Sequence, residues 1–194
     1  MLYILLPAYN EEKNIIKIFK KIIKIKKKIS PFQVILIDDC SNDNTKKLIK
    51  KNYGFKLIYK KHKHNKGLSI TLETGLNIIN KRLKKKDVII SLDCDDTHPV
   101  EIIPKMLKEI NLGNQLIIAS RFVGGSKING LSYFRKMMSV GAKFLFKIFY
   151  PFKNLNDYTC NFRCYDSQLI KEVLKRKKFF KNEDFNIAAK ILIY

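Results

Sequence analysis

A chain of 194 residues with an ordinary apolar share is long enough for one domain with a real core, which sets disorder aside. Its formal charge of +22 is nearly all lysine, the arginines being Arg82, Arg121, Arg135, Arg163 and Arg176. Because phosphate and nucleic-acid sites favour the bidentate arginine fork, that surplus is weak evidence for a nucleic-acid partner, although basic surfaces do suit anionic lipids and anionic substrates.

The chain opens on an apolar run, residues 2–6, closed by Pro7, which reads as a buried strand. It lacks the basic region and cleavage site of a secretory signal. A polar loop, Pro7 to Glu12, follows, with Asn10 as a candidate N-cap and the glutamates placed for a first helical turn. Ile15, Ile18, Phe19, Ile22, Ile25 and Ile29 then recur at helical spacing until Ser30-Pro31.

Residues 33–37 form a second apolar run that ends in Asp38-Asp39-Cys40-Ser41-Asn42-Asp43-Asn44-Thr45. A helix is expected over 45–53, capped by Asp43 or Ser41 and stopped by Gly54. A strand at 55–59, a basic loop with His62 and His64, and a helix from Gly67 to Asn80 come next.

The run at 87–92 leads into Asp93-Cys94-Asp95-Asp96-Thr97-His98-Pro99, where His98 reads as structural. A helix at 101–110 and a strand at 115–119 complete a strand–helix alternation that predicts a doubly wound, mainly parallel α/β sheet with helices on both faces. Past Arg121 the character changes to a glycine-bearing loop and an amphipathic helix at 133–149. Its lysines share one face and its aromatic and methionine residues crowd the others, the composition of a helix lying in a membrane interface or of a core helix with a solvated stripe.

No run approaches the ~20 apolar residues of a membrane-spanning helix. Cys40, Cys94, Cys160 and Cys164 have no C-x-x-C spacing, so a zinc or redox site is not expected and reduced cytosolic thiols are. Cys160 and Cys164 would share a face if their stretch were helical.

Three apolar strands therefore end in acidic or polar loops, and a doubly wound sheet gathers such loops at one edge. Taken singly, Asp38 and Asp39 suit helix capping, Glu11 a first-turn charge, Tyr9 a strand-end aromatic and Arg121 a surface charge. Neither a G-x-G-x-x-G nor a G-x-x-x-x-G-K-[ST] cradle is present, which disfavours dehydrogenases and P-loop enzymes. A nucleotide bound without such a cradle needs a cation on its phosphates, and the one-apart carboxylates Asp93 and Asp95 can share a hard divalent ion.

Pro7-Ala8-Tyr9-Asn10-Glu11, the Asp38 to Thr45 segment, Asn65-Lys66-Gly67 and Asp93-Cys94-Asp95 together resemble the inverting family-2 glycosyltransferases of GT-A fold. His98-Pro99, Ala119-Ser120-Arg121-Phe122 with Gly124-Gly125, Arg135-Lys136 with Ser139, and Asn161-Phe162-Arg163 with Tyr165 are similar to the dolichol- and polyprenyl-phosphate hexosyltransferases. Two departures concern Cys94 and Thr97, where that subfamily commonly carries alanine and a longer polar residue.

The resemblance implies a nucleotide-sugar pocket lined by Pro7, Tyr9 and Glu11, with Ile37, Asp39 and Asp38 towards the base. It implies that Asp93, Cys94 and Asp95 meet the ribose and diphosphate, that Asp93 and Asp95 hold Mg2+ or Mn2+, and that Arg121 lies near the phosphates or acceptor. It also implies a polyprenyl-phosphate acceptor at a cytoplasmic membrane surface, with a glycan or lipid hydroxyl, or an inactive truncated homologue, as the alternative readings. A Lys-rich nucleic-acid-binding module would explain the charge but not the three acidic strand ends, so no nucleic-acid partner is expected. A lipid phosphate is already an anionic nucleophile and needs no strong base. A hydroxyl acceptor would need one, and Asp96, Glu183 and Asp184 are the candidates. The expected organisation is a single domain over 1–194, with a nucleotide-sugar half at 1–122 and an acceptor- or membrane-facing half at 123–194. Compared with the family, the expectation is a C-terminally truncated domain.

Overall fold

The computed structural model describes residues 1–51, 53–120, 155 and 157–175, with Gly141, Phe149 and Ile191 as isolated positions. Its sheet takes the order β3-β2-β1-β4-β6-β5. The strands are β1 (Leu2–Ala8), β2 (Phe32–Asp38), β3 (Lys56–Lys61), β4 (Val88–Ser91), β5 (Leu116–Ile118) and β6 (Arg163–Asp166). β1 pairs in parallel with β2 and β4, and β2 with β3. β6 runs antiparallel to both β4 and β5, so β5 points the same way as the parallel set.

Every residue of β1 is buried because helices cover both faces of the sheet. Leu2, Ile4, Leu6 and Ala8 face one core with Ile15, Ile18, Phe19 and Ile22 of α1 (Ile15–Ile29) and Ile103 and Met106 of α4 (Ile103–Asn111). Tyr3 and Leu5 face the other core with Leu72, Leu76 and Ile79 of α3 (Gly67–Asn80) and Ile170 and Val173 of α5 (Ser167–Lys175). Each of these large side chains contributes roughly 1.5–3 kcal/mol by leaving water. Phe19 also meets Tyr53 and Phe55 edge-on, at centroid distances of 4.7 and 5.2 Å.

Pro7 sits inside a central strand without breaking it. In β1 the odd residues point towards β4, as the bond from Leu92 N–H to the Leu5 carbonyl shows, and β4's register with β1 ends at Leu5↔Ser91. The missing N–H of Pro7 therefore falls where the ladder has already ended.

Several expectations change. The helix expected over 45–53 is the short α2 (Thr45–Leu48). Asn10 does not cap α1: Asn14 precedes that helix, and Asn10 adopts a left-handed φ of 57° in the turn after β1. No acidic residue lies in α1's first turn, because Glu11 and Glu12 belong to the preceding loop. Cys160 and Cys164 are not on a helix, since Cys160 leads into β6 and Cys164 lies in it. β6 itself carries no clear strand signal, because its four residues include Arg163 and Asp166. Of the amphipathic segment at 133–149, Gly141 and Phe149 are described, and both are helical. Among the described residues no helix is long and apolar enough to cross a membrane.

Candidate functional site

The carboxyl ends of β1, β2 and β4 open on a cleft of about 410 Å³, which the start of α3 closes from one side. β1 and β2 leave the sheet level with one another, Ala8 opposite Asp38, and their loops are tied residue by residue. The N–H groups of Asn10, Glu11 and Glu12 donate to Ser41 Oγ, Thr45 Oγ1 and Asp43 Oδ2, each at 2.9 Å. In return the N–H groups of Asn42 and Asn44 donate to Asn10 Oδ1 and Glu12 Oε2, at 2.8 and 3.0 Å. The Ser41 to Thr45 segment thus fixes the path of the Tyr9 to Glu12 loop. Burial would raise the Asp43 carboxyl, but the Thr45 hydroxyl and the N–H groups of Glu12 and Thr45 outweigh it and hold Asp43 low.

Asp38 and Asp39, adjacent in sequence, do different things. Asp38 is wholly buried, taking the Ser41 N–H and the Tyr59 hydroxyl, both at 2.7 Å. It braces the loop and is absent from the cleft wall. Asp39 lines the cleft. Its Oδ1 accepts from His62 Nδ1 at 2.7 Å and Lys66 N–H at 2.9 Å, and its Oδ2 from Gly67 N–H at 2.8 Å. The acceptor-only carboxylate requires the donor to be His62 Nδ1–H, while Nε2 lies 3.1 Å from Thr74 Oγ1, a hydroxyl able to pair with it in either sense. Two of these donors are backbone N–H groups at the start of α3, whose positive end favours the charge. Gly67 has φ +80°, which suits glycine at this turn.

Pro7, Tyr9, Glu11, Asp39, Asp93, Cys94 and Asp95 all line the cleft, joined by Asn65, Gly67, Leu68 and Thr71. Ile37 does not, since its side chain is buried in the core beneath α3. Burial lifts the Glu11 carboxyl above its ordinary range; a bond from Asn14 opposes this, and the negative charges of Asp95 and Asp93 add to it. Burial and the same three carboxylates push the Cys94 thiol well up, so it stands in the cleft wall as a neutral group.

Both oxygens of Asp93 are engaged: Asn161 Nδ2 donates to Oδ1 at 2.7 Å, and His98 Nε2 lies 3.2 Å from Oδ2. Asp95 Oδ1 takes the Thr97 N–H and hydroxyl, at 3.0 and 2.7 Å. Asp96 turns away at a left-handed φ of 63° and faces α1, where Lys21 Nζ lies 2.7 Å from its Oδ1 as an ion pair without hydrogen-bond alignment. It is not part of the cleft wall.

Among the described residues, no group of three or more histidine, cysteine, aspartate or glutamate side chains is arranged to hold a metal ion. The cleft does concentrate hard oxygen donors, and Glu11 feels their charge. That suits a cation which takes one or two carboxylates from the protein and its remaining ligands from substrate phosphates and water. Arg121, Glu183 and Asp184 lie outside the described residues. In the sequence His62 is one residue of a basic loop and Asn161 one of a longer motif; in the fold both hold carboxylates of the cleft, which no spacing of residues announces.

Residues 3–174 match the family described as Glycosyl transferase family 2. The chain is 30% identical over 151 residues to the dolichol-phosphate mannosyltransferase of Pyrococcus furiosus, covering 76% of this chain and 41% of that protein. It is 26% identical over 160 residues to the UDP-N-acetylglucosamine–dolichyl-phosphate N-acetylglucosaminyltransferase of Methanococcus voltae, covering 75% and 61%. Among solved structures it resembles S. aureus TarS 1–349 in complex with UDP-GlcNAc, with a TM-score of 0.64 at 20% identity, covering 98% of this chain and 52% of that one. It also resembles the glucosyl-3-phosphoglycerate synthase of Mycobacterium tuberculosis solved with Mn2+, UDP and glucosyl-3-phosphoglycerate, with a TM-score of 0.62 at 17% identity, covering 87% and 57%. The chain thus spans about half the length of several proteins it matches, and the likeness to solved structures establishes the GT-A fold.

Proposed function

The chain belongs to glycosyl transferase family 2, and on that premise we propose that it transfers a hexose, with inversion, from a UDP- or GDP-sugar to a polyprenyl or dolichyl phosphate at a membrane surface. The observation that carries this reading is the gathering of Glu11, Asp39, Asp93 and Asp95 on one cleft, where burial and mutual charge lift Glu11. Like charges gathered this closely repel one another, and a bound cation would relieve that repulsion. The similarity to two dolichyl-phosphate glycosyltransferases favours the lipid acceptor.

In this reading Asp39, held by His62 and the start of α3, presents a fixed acceptor to the base, and Tyr9, nearly half exposed, offers its ring to the nucleoside. Asp93 and Asp95 would hold Mg2+ or Mn2+, a cation that would supply positive charge against the departing diphosphate. Arg121 adds a second cation at the phosphates or the acceptor. The bond between the anomeric carbon and the diphosphate oxygen breaks while an acceptor oxygen bonds from the opposite face. A phosphate acceptor arrives ionised, so no side chain must take its proton, and Asp96, paired with Lys21 outside the cleft, is not required as a base. The basic amphipathic segment at 133–149, in which Phe149 is helical and 72% exposed, would meet the anionic lipid surface.

The test is calorimetric binding of UDP and GDP with Mg2+, with Mn2+ and with chelator. Metal-dependent binding that Asp95→Ala abolishes is expected; binding without metal, or untouched by Asp95→Ala, sinks the metal-site reading. A donor panel assayed with a polyprenyl phosphate then identifies sugar and acceptor, and flotation with anionic liposomes tests the surface. A chain that stays in the soluble fraction there points to a soluble acceptor.

A further inference from the structure

Asn161, 68 residues beyond Asp93, reaches that cleft carboxylate from behind the wall, and the chain around it is built to keep it there. Asp157 Oδ1 accepts the N–H groups of Thr159 and Cys160, closing a turn. The wholly buried Arg163 donates from Nε to the Cys160 carbonyl at 2.6 Å and from a terminal nitrogen to the Tyr158 carbonyl at 2.8 Å. Cys160 Sγ donates to the Ala119 carbonyl, tying the turn to the end of β5. The Ser91 hydroxyl donates to the Asn161 carbonyl at 2.8 Å, joining it to the end of β4, two residues before Asp93. The desolvation of a wholly buried arginine is offset only when its N–H groups are well bonded, so this turn has little freedom to drift. Its product is one side chain, 6% exposed, whose amide donates at 2.7 Å to the first carboxylate of the D-x-D.

We propose that Asn161 is a positioning residue of the donor site: it fixes the Asp93 carboxylate in its cleft-facing orientation. It thereby makes metal–nucleotide affinity depend on the turn that leads into β6. The inference rests on the reading of the cleft as a nucleotide-sugar site. Asn161 does this better than a second carboxylate or a lysine would. The neutral amide supplies a donor without adding negative charge beside Asp93, and without the full positive charge that would compete with a cation there. His98, 3.2 Å from the other oxygen and tilted against Phe162 at a centroid distance of 5.2 Å, steadies the opposite edge of the carboxylate. Phe162 and Asn161 are consecutive, so one short segment supports both edges.

The experiment is calorimetry of UDP or GDP, whichever the wild type binds, at saturating Mn2+, on wild type, Asn161→Ala, Asn161→Asp, Asp93→Ala and the Asp93→Ala/Asn161→Ala double variant. Melting midpoints without ligand are measured alongside. Loss of an outer group that orients a ligand weakens binding by about tenfold or more, and that loss is expected for both Asn161 variants. In the Asp93→Ala background, Asn161→Ala should add nothing. Wild-type-like binding by Asn161→Asp, or a loss that adds in full to that of Asp93→Ala, overturns the proposal while leaving the donor site standing. If the wild type binds neither nucleotide, the donor-site reading falls and this inference with it. Asn161→Asp keeps the shape of the side chain, so it carries the test even if Asn161→Ala folds poorly.

Discussion

Gly75 of α3 lies so close to Leu5 of β1 that a Cβ on it would stand 2.2 Å from Leu5 Cδ1 and 3.2 Å from Leu5 Cγ. This approach sets α3 at its distance from the sheet. The same helix begins at the cleft with Gly67, Leu68 and Thr71, so the packing at Gly75 also sets one wall of the site. Gly75→Ala gains up to ~1 kcal/mol of helix propensity, but overpacking a fully buried neighbour costs about 1–3 kcal/mol. Net destabilisation by urea titration is expected, with weaker nucleotide binding as α3 moves. Leu5→Ala makes room, so the double variant should lose less than the sum of the two single losses; strict additivity would show that the contact does not set the helix position.

The Tyr59 hydroxyl bond to Asp38 yields a prediction that separates the two adjacent aspartates. Burial, with Asp38 close by, drives the Tyr59 phenol far above its ordinary range, so at neutral pH it stands as a neutral donor to the carboxylate. Tyr59→Phe leaves a wholly buried carboxylate with one donor fewer, at a cost of about 1–3 kcal/mol. Because Asp38 is away from the cleft, nucleotide affinity measured well below the melting transition should hardly change. A large loss of affinity with intact stability would give Asp38 a direct part in binding.

These two contacts also show what a sequence can reveal. The apolar runs at β1, β2 and β4 and the period of α1 announce themselves because burial on two faces, or on one stripe, leaves a pattern in hydropathy. The acidic strand ends are equally legible. What stays hidden is which carboxylate does what: Asp38 and Asp39 differ only in which way the chain turns them, towards Tyr59 or towards His62 and α3. β6 is hidden for a related reason. A four-residue strand containing a buried arginine has no apolar run to betray it, and its place between β4 and β5 comes from long-range pairing alone.

Glu11 makes the site pH-sensitive in a direction that can be worked out. Its carboxyl is lifted above 4.5 by burial, and by Asp95 and Asp93 against the lowering bond from Asn14, so the folded chain keeps this proton to higher pH than the unfolded chain does. Stability from this group is therefore present below 4.5 and lost as pH rises through the folded value. At neutral pH its charge opposes folding. Glu11→Gln should raise the ligand-free melting temperature at neutral pH and flatten its dependence on pH just above 4.5, while weakening metal-dependent nucleotide binding. Calorimetric melting across that range checks this, and a neutral-pH melting temperature below wild type would contradict it.

His62 offers the sharpest separation between holding a carboxylate and merely filling space. It is 7% exposed, and its ring spans 2.7 Å to Asp39 and 3.1 Å to Thr74, joining the end of β3 to the cleft on one side and to α3 on the other. His62→Ala removes both bonds and leaves Asp39 with two backbone donors, so stability should fall by about 1–3 kcal/mol. The freed carboxylate can rotate, and nucleotide binding should weaken with it. His62→Asn is the informative partner, because an asparagine amide nitrogen sits close to where Nδ1 does and can donate to the same Asp39 oxygen, yet it cannot reach Thr74. If orientation of Asp39 is what matters, the asparagine variant recovers most of the nucleotide affinity while recovering less of the stability. Equal affinity losses in the alanine and asparagine variants would instead mean that the ring acts through the packing of α3, and Asp39 would owe its position to the Lys66 and Gly67 N–H groups alone.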